Sequence, residues 1–364
     1  MIPTVHEDES HSRRVRYTLV DEEHGHVWGV CAEVEGLFGE PQRGTYELFG
    51  WVAQAEARGW LGNRVWLVPD DETLDPWLLE DAECIGQPLK TDSLVITGLD
   101  DYEGPPEGHR GRVSVHDGHH WLGSCREFAR VLPPEQLQTP LVLRGLALSD
   151  QLRARLMKGT RRALDLELAT LEIRDDGGVP LTERRLWARV SAWRPSSSGT
   201  DRIDLELDGE LFTPVPEYAR PIWERWFTGP PSSKGAWASL DTRRRGAWLD
   251  LVRERAFQRA RRDRPAGHAY ELDGRHVTDE PGLYLALGEA VNGAGGYFGG
   301  GLGAVDDCLG GTFGYTSPAT LLWRDAATAR DHLSQILTPD GELYDLFGVI
   351  LEILAEGGMH VTLA

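Results

Sequence analysis

The stretch YFGGGLGAVDDCLGG, residues 297–311, combines a run of glycines with the adjacent pair Asp306 and Asp307. Glycine lets a backbone come close to a neighbouring molecule, and the two carboxylates give the same place a negative charge. Three kinds of site use such a stretch: a phosphate-binding loop, a metal site and a surface that meets another protein. A phosphate-binding loop is disfavoured, because the Lys-Ser/Thr pair of such loops is absent and the carboxylates would repel phosphate.

A helix that begins near Leu302 would bury one side of this stretch and expose the other. At about 100° per residue, Leu302, Val305 and Leu309 fall within one narrow sector. Asp307 falls nearly opposite that sector and Asp306 to one flank of it, so the pattern predicts that Asp307 points away from the core. The neighbouring residues are small and leave the surface low: Gly300, Gly301, Gly303 and Ala304.

The elements around this stretch predict a small α/β domain. Residues 269–364 follow the order strand, helix, helix, strand, helix, helix, strand, with Thr278 as the expected N-cap of the first helix. The apolar run ATLLWR, residues 319–324, predicts a strand covered on both faces. A last long helix is expected within residues 342–358, with Leu343 on its apolar face. Right-handed helical crossovers between strands then give a three-stranded parallel sheet covered by helices.

The order of these elements, the segment YFGGGLGAVDDCL and the closing EILAEGGMHVTLA resemble barstar, the family of intracellular inhibitors of barnase-type ribonucleases. The resemblance covers residues 269–364, about the last quarter of the chain. It implies inhibition by a plug, in which an aromatic loop and the following helix enter the basic cleft of a nuclease. Asp307 then takes the place of a substrate phosphate, and Glu352 on the last long helix makes a second acidic contact.

The same resemblance assigns the partner-binding residues and shows where this chain departs from the family. Gly301 stands where the family usually has Asn, Gly303 where it usually has an acid, and Asp306 where Trp is common. These departures leave the target open between a barnase-like ribonuclease and another basic ribonuclease or nuclease toxin. The residues implied to meet the partner are Tyr297, Phe298, Gly299, Gly301, Gly303, Asp306, Asp307 and Glu352.

Length and charge set the wider expectations. The chain has 364 residues, 40% of them hydrophobic, which predicts two or three domains. Its formal net charge of -20 favours a basic protein partner and disfavours nucleic acid. The sequence contains no apolar run of about 18 residues, and its first residues are charged where a signal peptide is apolar. We therefore expect a cytoplasmic protein, with its four scattered cysteines reduced.

Composition shifts predict four consecutive regions. Residues 1–135 read as a β-rich domain with α+β character, and residues 136–232 as a second mixed α+β region. In the first of these, the spacing of Leu48, Val52, Ala55 and Gly59 predicts a helix. Residues 233–268 form a basic helical connector, in which Arg243 to Arg264 include nine arginines and three acids, a net charge of +6. Residues 269–364 carry fourteen acids and three arginines, a net charge of -11.

Other chemistry finds little support in the sequence. The turn HDGHH places His116, His119 and His120 around Asp117, but adjacent residues of a strand point to opposite faces, and a polar hairpin tip is favoured over a metal site. The sequence contains none of the motifs that supply an enzyme with a nucleophile, a general base or metal ligands. The arginine-rich helix, with Trp248 and Phe257, could contact RNA, although the overall charge opposes this.

The sequence thus predicts a multidomain protein without enzymatic activity, cofactor or metal. Its expected function is that of an antitoxin or immunity protein, which blocks a basic nuclease by steric and electrostatic occlusion. One alternative is that the C-terminal domain keeps the barstar-like fold but serves as a non-inhibitory protein-interaction module. The other is an RNA-binding protein that uses the arginine-rich helix.

Overall fold

The computed structural model describes residues 15–88, 91–100, 104–106, 108–131, 140–158, 164–208, 211–258 and 262–364. The strands in these residues are β1 (Tyr17–Asp21), β2 (Val27–Cys31), β3 (Glu33–Glu35), β4 (Gly44–Phe49), β5 (Val52–Ala53), β6 (Gly59–Pro69), β7 (Trp77–Gly86), β8 (Leu94–Leu99), β9 (Val113–His116), β10 (Trp121–Cys125), β11 (Glu127–Val131), β12 (Leu141–Leu148), β13 (Leu164–Arg174), β14 (Pro180–Pro195), β15 (Arg202–Asp208), β16 (Ala269–Asp273), β17 (Ala319–Arg324), β18 (Ile336–Leu337), β19 (Leu343–Tyr344) and β20 (Met359–Leu363).

The helices in the same residues are α1 (Asp150–Lys158), α2 (Arg220–Phe227), α3 (Thr242–Phe257), α4 (Glu280–Asn292), α5 (Leu302–Leu309), α6 (Ala326–Leu333) and α7 (Leu346–Glu356), with a 3₁₀ helix at Glu217–Ala219. Within the described part of the chain, none of them is long and apolar enough to cross a membrane.

The chain divides into two compact units that are not continuous in sequence. Among the described residues, the first unit contains residues 15–39 and 140–229, and the second contains residues 40–131 and 230–364. This differs from the continuous domain predicted for residues 1–135. The reason is that β1 pairs with β13, and both β2 and β3 pair with β12, so the first strands belong to a sheet completed more than 100 residues later.

The first unit is a closed antiparallel barrel. Its sheet runs in the order β15, β14, β13, β1, β2, β12, and β12 also pairs with β15, which closes a ring of six strands. Leu19, Leu143, Leu171, Leu186 and Leu205 are fully buried in this unit. The predicted strand with Ile203, Leu205 and Leu207 on one face is confirmed as β15, because all three side chains are buried.

The second unit begins with an antiparallel sheet in the order β11, β4, β8, β7, β6, β9, β10, β5. The helix predicted around residues 45–60 is wrong, because this segment forms β4, β5 and the start of β6. Tyr46 and Leu48 are fully buried and alternate with half-buried Thr45 and Glu47, which is the period of a strand. Gly50, with φ of 64°, then turns the chain in a conformation that a helix excludes.

The C-terminal module, residues 269–364, contains the predicted three-stranded parallel sheet. β17 lies between β16 and β20 and pairs with both in parallel. The predicted order of strands and helices is confirmed, with the small antiparallel pair of β18 and β19 inserted before α7. α4 packs against β16, and α7 packs against β20, α5 and α6.

Details of this module differ from the predictions. In β17, Ala319, Leu321 and Trp323 are buried whereas Thr320 and Arg324 are exposed, so the strand is covered on one face and not on both. The N-cap of α4 is Asp279, whose carboxylate accepts from the N–H of Gly282 at 2.8 Å, and not Thr278. α7 starts at Leu346, and Leu343 lies before it in β19 with 74% of its surface exposed.

Candidate functional site

Helix α5 presents two carboxylates on its outer side. Val305, Cys308 and Leu309 are buried, whereas Asp306 and Asp307 are exposed. This is the orientation that the helical spacing predicts, since the apolar residues of α5 face the core of the module. The exposed side of α5 therefore forms a negatively charged ridge, which we call the acidic ridge and define by Asp306 and Asp307.

The turn before α5 requires glycine at one position. Gly299 has φ of 94°, and a Cβ built on it would lie 2.5 Å from Cγ2 of Val305 and 2.8 Å from its backbone nitrogen. No larger residue fits there without moving the helix, because contacts under 3.0 Å with backbone cannot relax cheaply. Gly299 thus fixes the entry of the chain into α5, and with it the direction of the acidic ridge.

The aromatic loop, which consists of Tyr297, Phe298 and Gly299, is buried and does not form an open binding surface. Tyr297 is 4% exposed and Phe298 fully buried, with the Phe298 ring 5.9 Å from that of Tyr315. The side-chain amide of Asn292 donates to the carbonyl oxygens of Tyr297 at 2.7 Å and of Phe313 at 2.9 Å. The partner-binding role that the resemblance implies for Tyr297, Phe298 and the buried Gly299 therefore lacks an accessible surface in this conformation.

Glu352 lies exposed on α7, the helix that packs against α5. The two helices come close at the end of α7, where a Cβ built on Gly357 would lie 2.7 Å from Cδ1 of Leu309. Burial raises the pKa of the nearby Tyr344 hydroxyl, and the carboxylates of Glu280, Asp345 and Glu352 raise it further. Glu352 therefore lies on a helix in contact with α5, and it shares the surroundings of Tyr344 with Asp345 and with Glu280 of α4.

Helix α3 is part of the second unit and not an independent connector. Trp248, Leu251 and Val252 are each 1% exposed, and burial of each such side chain contributes roughly 1.5–3 kcal/mol. The guanidinium of Arg245 donates to the carboxylate of Asp279 at 2.9 Å, in an ion pair whose side chains are both 8% exposed. α3 packs against α4 and β6. These contacts fix the helix on the C-terminal module.

The start of α3 and the segment after the helix are held by hydrogen bonds. At the start, Arg243 donates to the carboxylate of Asp81 at 2.7 Å, and Arg43 donates to the same carboxylate at 2.9 Å. After the helix, the carboxylate of Asp263 accepts from the N–H groups of Thr312 at 3.0 Å and Gly314 at 2.9 Å. The segment after α3 therefore lies beside the loop that contains Gly314, and the start of the helix is bound to β7.

One face of α3 lies along the aromatic loop. Leu249, Arg253 and Phe257 are four residues apart and share this face. A Cδ atom of Leu249 lies 3.9 Å from a Cβ built on Gly300, and the ring of Phe257 is 6.3 Å from that of Tyr297. Burial raises the pKa of Tyr297. The negative charge of Asp307 raises this pKa further and the positive charge of Arg253 lowers it, so both charged groups act on the Tyr297 hydroxyl.

The described arginines of α3 are largely engaged within the chain. Arg245 and Arg255 are buried, Arg243 pairs with Asp81 and Glu83, and Arg253 pairs with Asp250 at 3.1 Å. An RNA-binding helix needs guanidinium groups that can reach phosphates. Arg259 and Arg261, which belong to the predicted basic segment, lie outside the described residues. The geometry of α3 is that of a packed element with internal ion pairs.

The three histidines of the turn HDGHH differ in burial and do not share one surface. His116 is fully buried with its Nε2 3.1 Å from the carbonyl oxygen of Pro339, whereas His119 and His120 are exposed. The predicted hairpin is confirmed, since β9 pairs with β10 and Gly118 has φ of 89°. Across the described residues, no group of three His, Cys, Asp or Glu side chains could hold a metal ion. The four cysteines are free thiols.

Two features of this site escape the sequence analysis. The packing of Phe257 on Tyr297 leaves a trace in the spacing of Leu249, Arg253 and Phe257, but nothing local says which loop that face meets. The hydrogen bonds of Asp263 to residues 312 and 314 join segments about 50 residues apart and leave no pattern in the sequence.

Comparisons of this chain with models of known protein families, with curated proteins and with solved structures find no match.

Proposed function

We propose that this chain is an inhibitor of a basic nuclease, and that the acidic ridge of α5 enters the nuclease's active-site cleft. The exposure of Asp306 and Asp307 on a helix that packs against α7 carries this proposal. The barstar-like order and register of residues 269–364 supports it. The chain then acts by occupying the cleft, in the cytoplasm where an unblocked nuclease would damage cellular RNA.

Two glycines beside the ridge support a partner that approaches closely. A Cβ built on Gly301 or on Gly303 meets no atom within 4 Å, and neither residue has a positive φ. The fold of the chain therefore does not require glycine at either position. Gly303 lies inside α5, where glycine costs about 1 kcal/mol relative to alanine, whereas Gly301 is the N-cap, a position that favours glycine over alanine. A close approach by another molecule accounts for this cost, because even a methyl group would then separate the two surfaces.

Electrostatics favours a basic partner. The C-terminal module carries a net charge of -11, and the whole chain one of -20. A field of this sign increases the rate at which a cationic protein arrives. A nuclease cleft that binds phosphates is positively charged, so the acidic ridge offers carboxylate oxygens to the groups that would otherwise bind substrate.

The test is a titration of a barnase-type ribonuclease with the full chain, followed by cleavage of a fluorescent RNA. We expect Asp307→Ala to weaken inhibition by about 2 kcal/mol, roughly 30-fold, because a desolvated charge loses its partner at the centre of the interface. Asp331→Ala removes an equal charge from an exposed position on α6 and should leave inhibition unchanged. Equal inhibition by the wild type and Asp307→Ala would remove Asp307 from the interface.

A second function, that of a non-inhibitory interaction module, is favoured by the burial of Tyr297 and Phe298. With the aromatic loop covered, the ridge could dock a basic protein at a site other than its catalytic cleft. The same titration separates the two functions when binding is measured beside cleavage. Binding that Asp307→Ala weakens while RNA cleavage continues would support the interaction module.

A further inference from the structure

The most exposed aromatic residue beside the acidic ridge belongs to α3 and not to the aromatic loop. Phe257 is 68% exposed and its ring lies 6.3 Å from that of Tyr297, which is 4% exposed. The hydroxyl of Tyr297 in turn lies 3.9 Å from a Cβ built on Gly300, just before the start of α5. Phe257, Tyr297 and α5 therefore follow one another along one side of the C-terminal module.

Two interpretations of this contact have opposite consequences. Either α3 is a removable cover over the aromatic loop, or its outer face is a permanent part of the surface that a partner meets. A cover must leave, and its departure would expose Trp248, Leu251 and Val252 and break the buried pair of Arg245 with Asp279. Removal of an ion-pair partner inside a protein is strongly unfavourable, so α3 remains docked.

The charge of the α3 face also suits the partner that the acidic ridge requires. Arg253 is the one cation of the row formed with Leu249 and Phe257, and its guanidinium lies 3.1 Å from the carboxylate of Asp250. Because this exposed pair is neutral in sum, the row does not repel a basic protein that approaches α5. The row therefore presents an aromatic side chain beside a neutral pair, next to a negative ridge.

We infer that the docking surface is composite, and that Phe257 is its aromatic anchor beside Asp306 and Asp307. The partner that fits is a basic protein with an apolar pocket next to its cationic cleft. This inference rests on the proposed function and goes beyond it, because it assigns part of the interface to a helix outside the C-terminal module. Exposed aromatic residues that fill a partner's pocket are typical centres of binding energy.

The experiment uses the full chain and a barnase-type ribonuclease, with inhibition constants measured for the wild type, Phe257→Ala and Phe257→Leu. We expect Phe257→Ala to weaken inhibition by about tenfold or more, and Phe257→Leu to lose less because it keeps apolar volume. Met157→Ala in α1, at a side chain 81% exposed, is the matched control and should leave inhibition unchanged. Equal thermal unfolding of the variants confirms that α3 and the loop remain folded.

Hydrogen exchange of α3 in the complex completes the test. Amides of α3 that stay protected when the ribonuclease binds support a permanent composite surface. Faster exchange in α3, or tighter inhibition by Phe257→Ala, would show that the helix is a cover and overturn the inference. If Asp307→Ala weakens inhibition and Phe257→Ala does not, the inference fails while the proposed function stands. A wild-type chain that neither binds nor inhibits the ribonuclease overturns both.

Discussion

Gly303 lies in the first turn of α5, and a Cβ built on it meets no atom within 4 Å. Gly303→Ala should therefore raise the free energy of unfolding by about 0.5–1 kcal/mol, because alanine restricts the unfolded chain and favours the helix. The same methyl group should weaken inhibition of a barnase-type ribonuclease, since it stands between the ridge and the partner. Chemical denaturation and RNA cleavage measured on one preparation check the two effects.

Gly299→Ala is the contrasting variant, because Gly299 has φ of 94° and its built Cβ lies 2.5 Å from Val305. It should destabilise the fold, whereas Gly303→Ala stabilises it. If Gly303→Ala binds the ribonuclease as well as the wild type, close approach does not explain the glycine at this position.

Asp204 stabilises the barrel of the first unit as an ionised group. Burial alone would raise its pKa, but the bonds from the N–H of Gly145, from Ser196 and from Arg144 outweigh burial and lower the pKa to about 2. The pKa is below the ordinary value of 3.8, so the stabilisation is present above about pH 4 and is lost as the pH falls towards about 2. This difference corresponds to about 2 kcal/mol.

Asp204→Asn should accordingly lower the free energy of unfolding of the first unit by about 2 kcal/mol at pH 7, and by much less near pH 2. The measurement is denaturant unfolding of the full chain at several pH values. Asp201→Asn, at an exposed carboxylate three residues earlier, should show no such pH-dependent loss. A constant difference between Asp204→Asn and the wild type from pH 7 to pH 2 would exclude this role of the charge.

Among the elements, α3 and the segment of β4 and β5 show why local patterns succeed or fail. The basic helix is predicted because its apolar residues follow a helical period, and the structure forms it over Thr242–Phe257. Residues 45–60 offer a similar spacing, yet Gly50 and the alternation of Tyr46 and Leu48 produce strands. Tertiary pairing decides such cases, because β4 gains partners in β8 and β11 that a helix would forgo.

Across the whole molecule, the sequence predicts the C-terminal module well and the front half poorly. The module's three parallel strands are joined by helical crossovers of one hand, so its order of elements nearly specifies its topology. The barrel instead pairs β1 with β13, about 150 residues apart, and no local pattern records such a partner. The exposure of Asp307 follows from the period of one helix, but Tyr297 packs beside Phe257 of α3, which the sequence reads as a connector.

Within the second unit, His116 at the end of β9 joins the antiparallel sheet of that unit to the C-terminal module. Its Nδ1 accepts from the N–H of Gly118 at 3.2 Å, so the other ring nitrogen, Nε2, carries the proton and donates to the carbonyl oxygen of Pro339 at 3.1 Å. The N–H of Leu337 donates to the carbonyl of Gly118 at 2.6 Å and completes the contact. Protonation of Nδ1 would set two donors against each other and break this arrangement.

This contact should weaken in acid. Burial lowers the pKa of His116, and the opposing effects of Pro339, Asp117 and Asp340 do not restore it to the ordinary value of 6.5. Because the unfolded chain then binds the proton more readily than the folded one, stability falls as the pH decreases below about 6.5. Denaturation of the second unit at pH 7.5 and at pH 5 should show this loss, and His116→Gln should reduce its size. The exposed His119, changed to Gln, serves as the control, and a pH dependence that His116→Gln leaves intact would assign the loss to other groups.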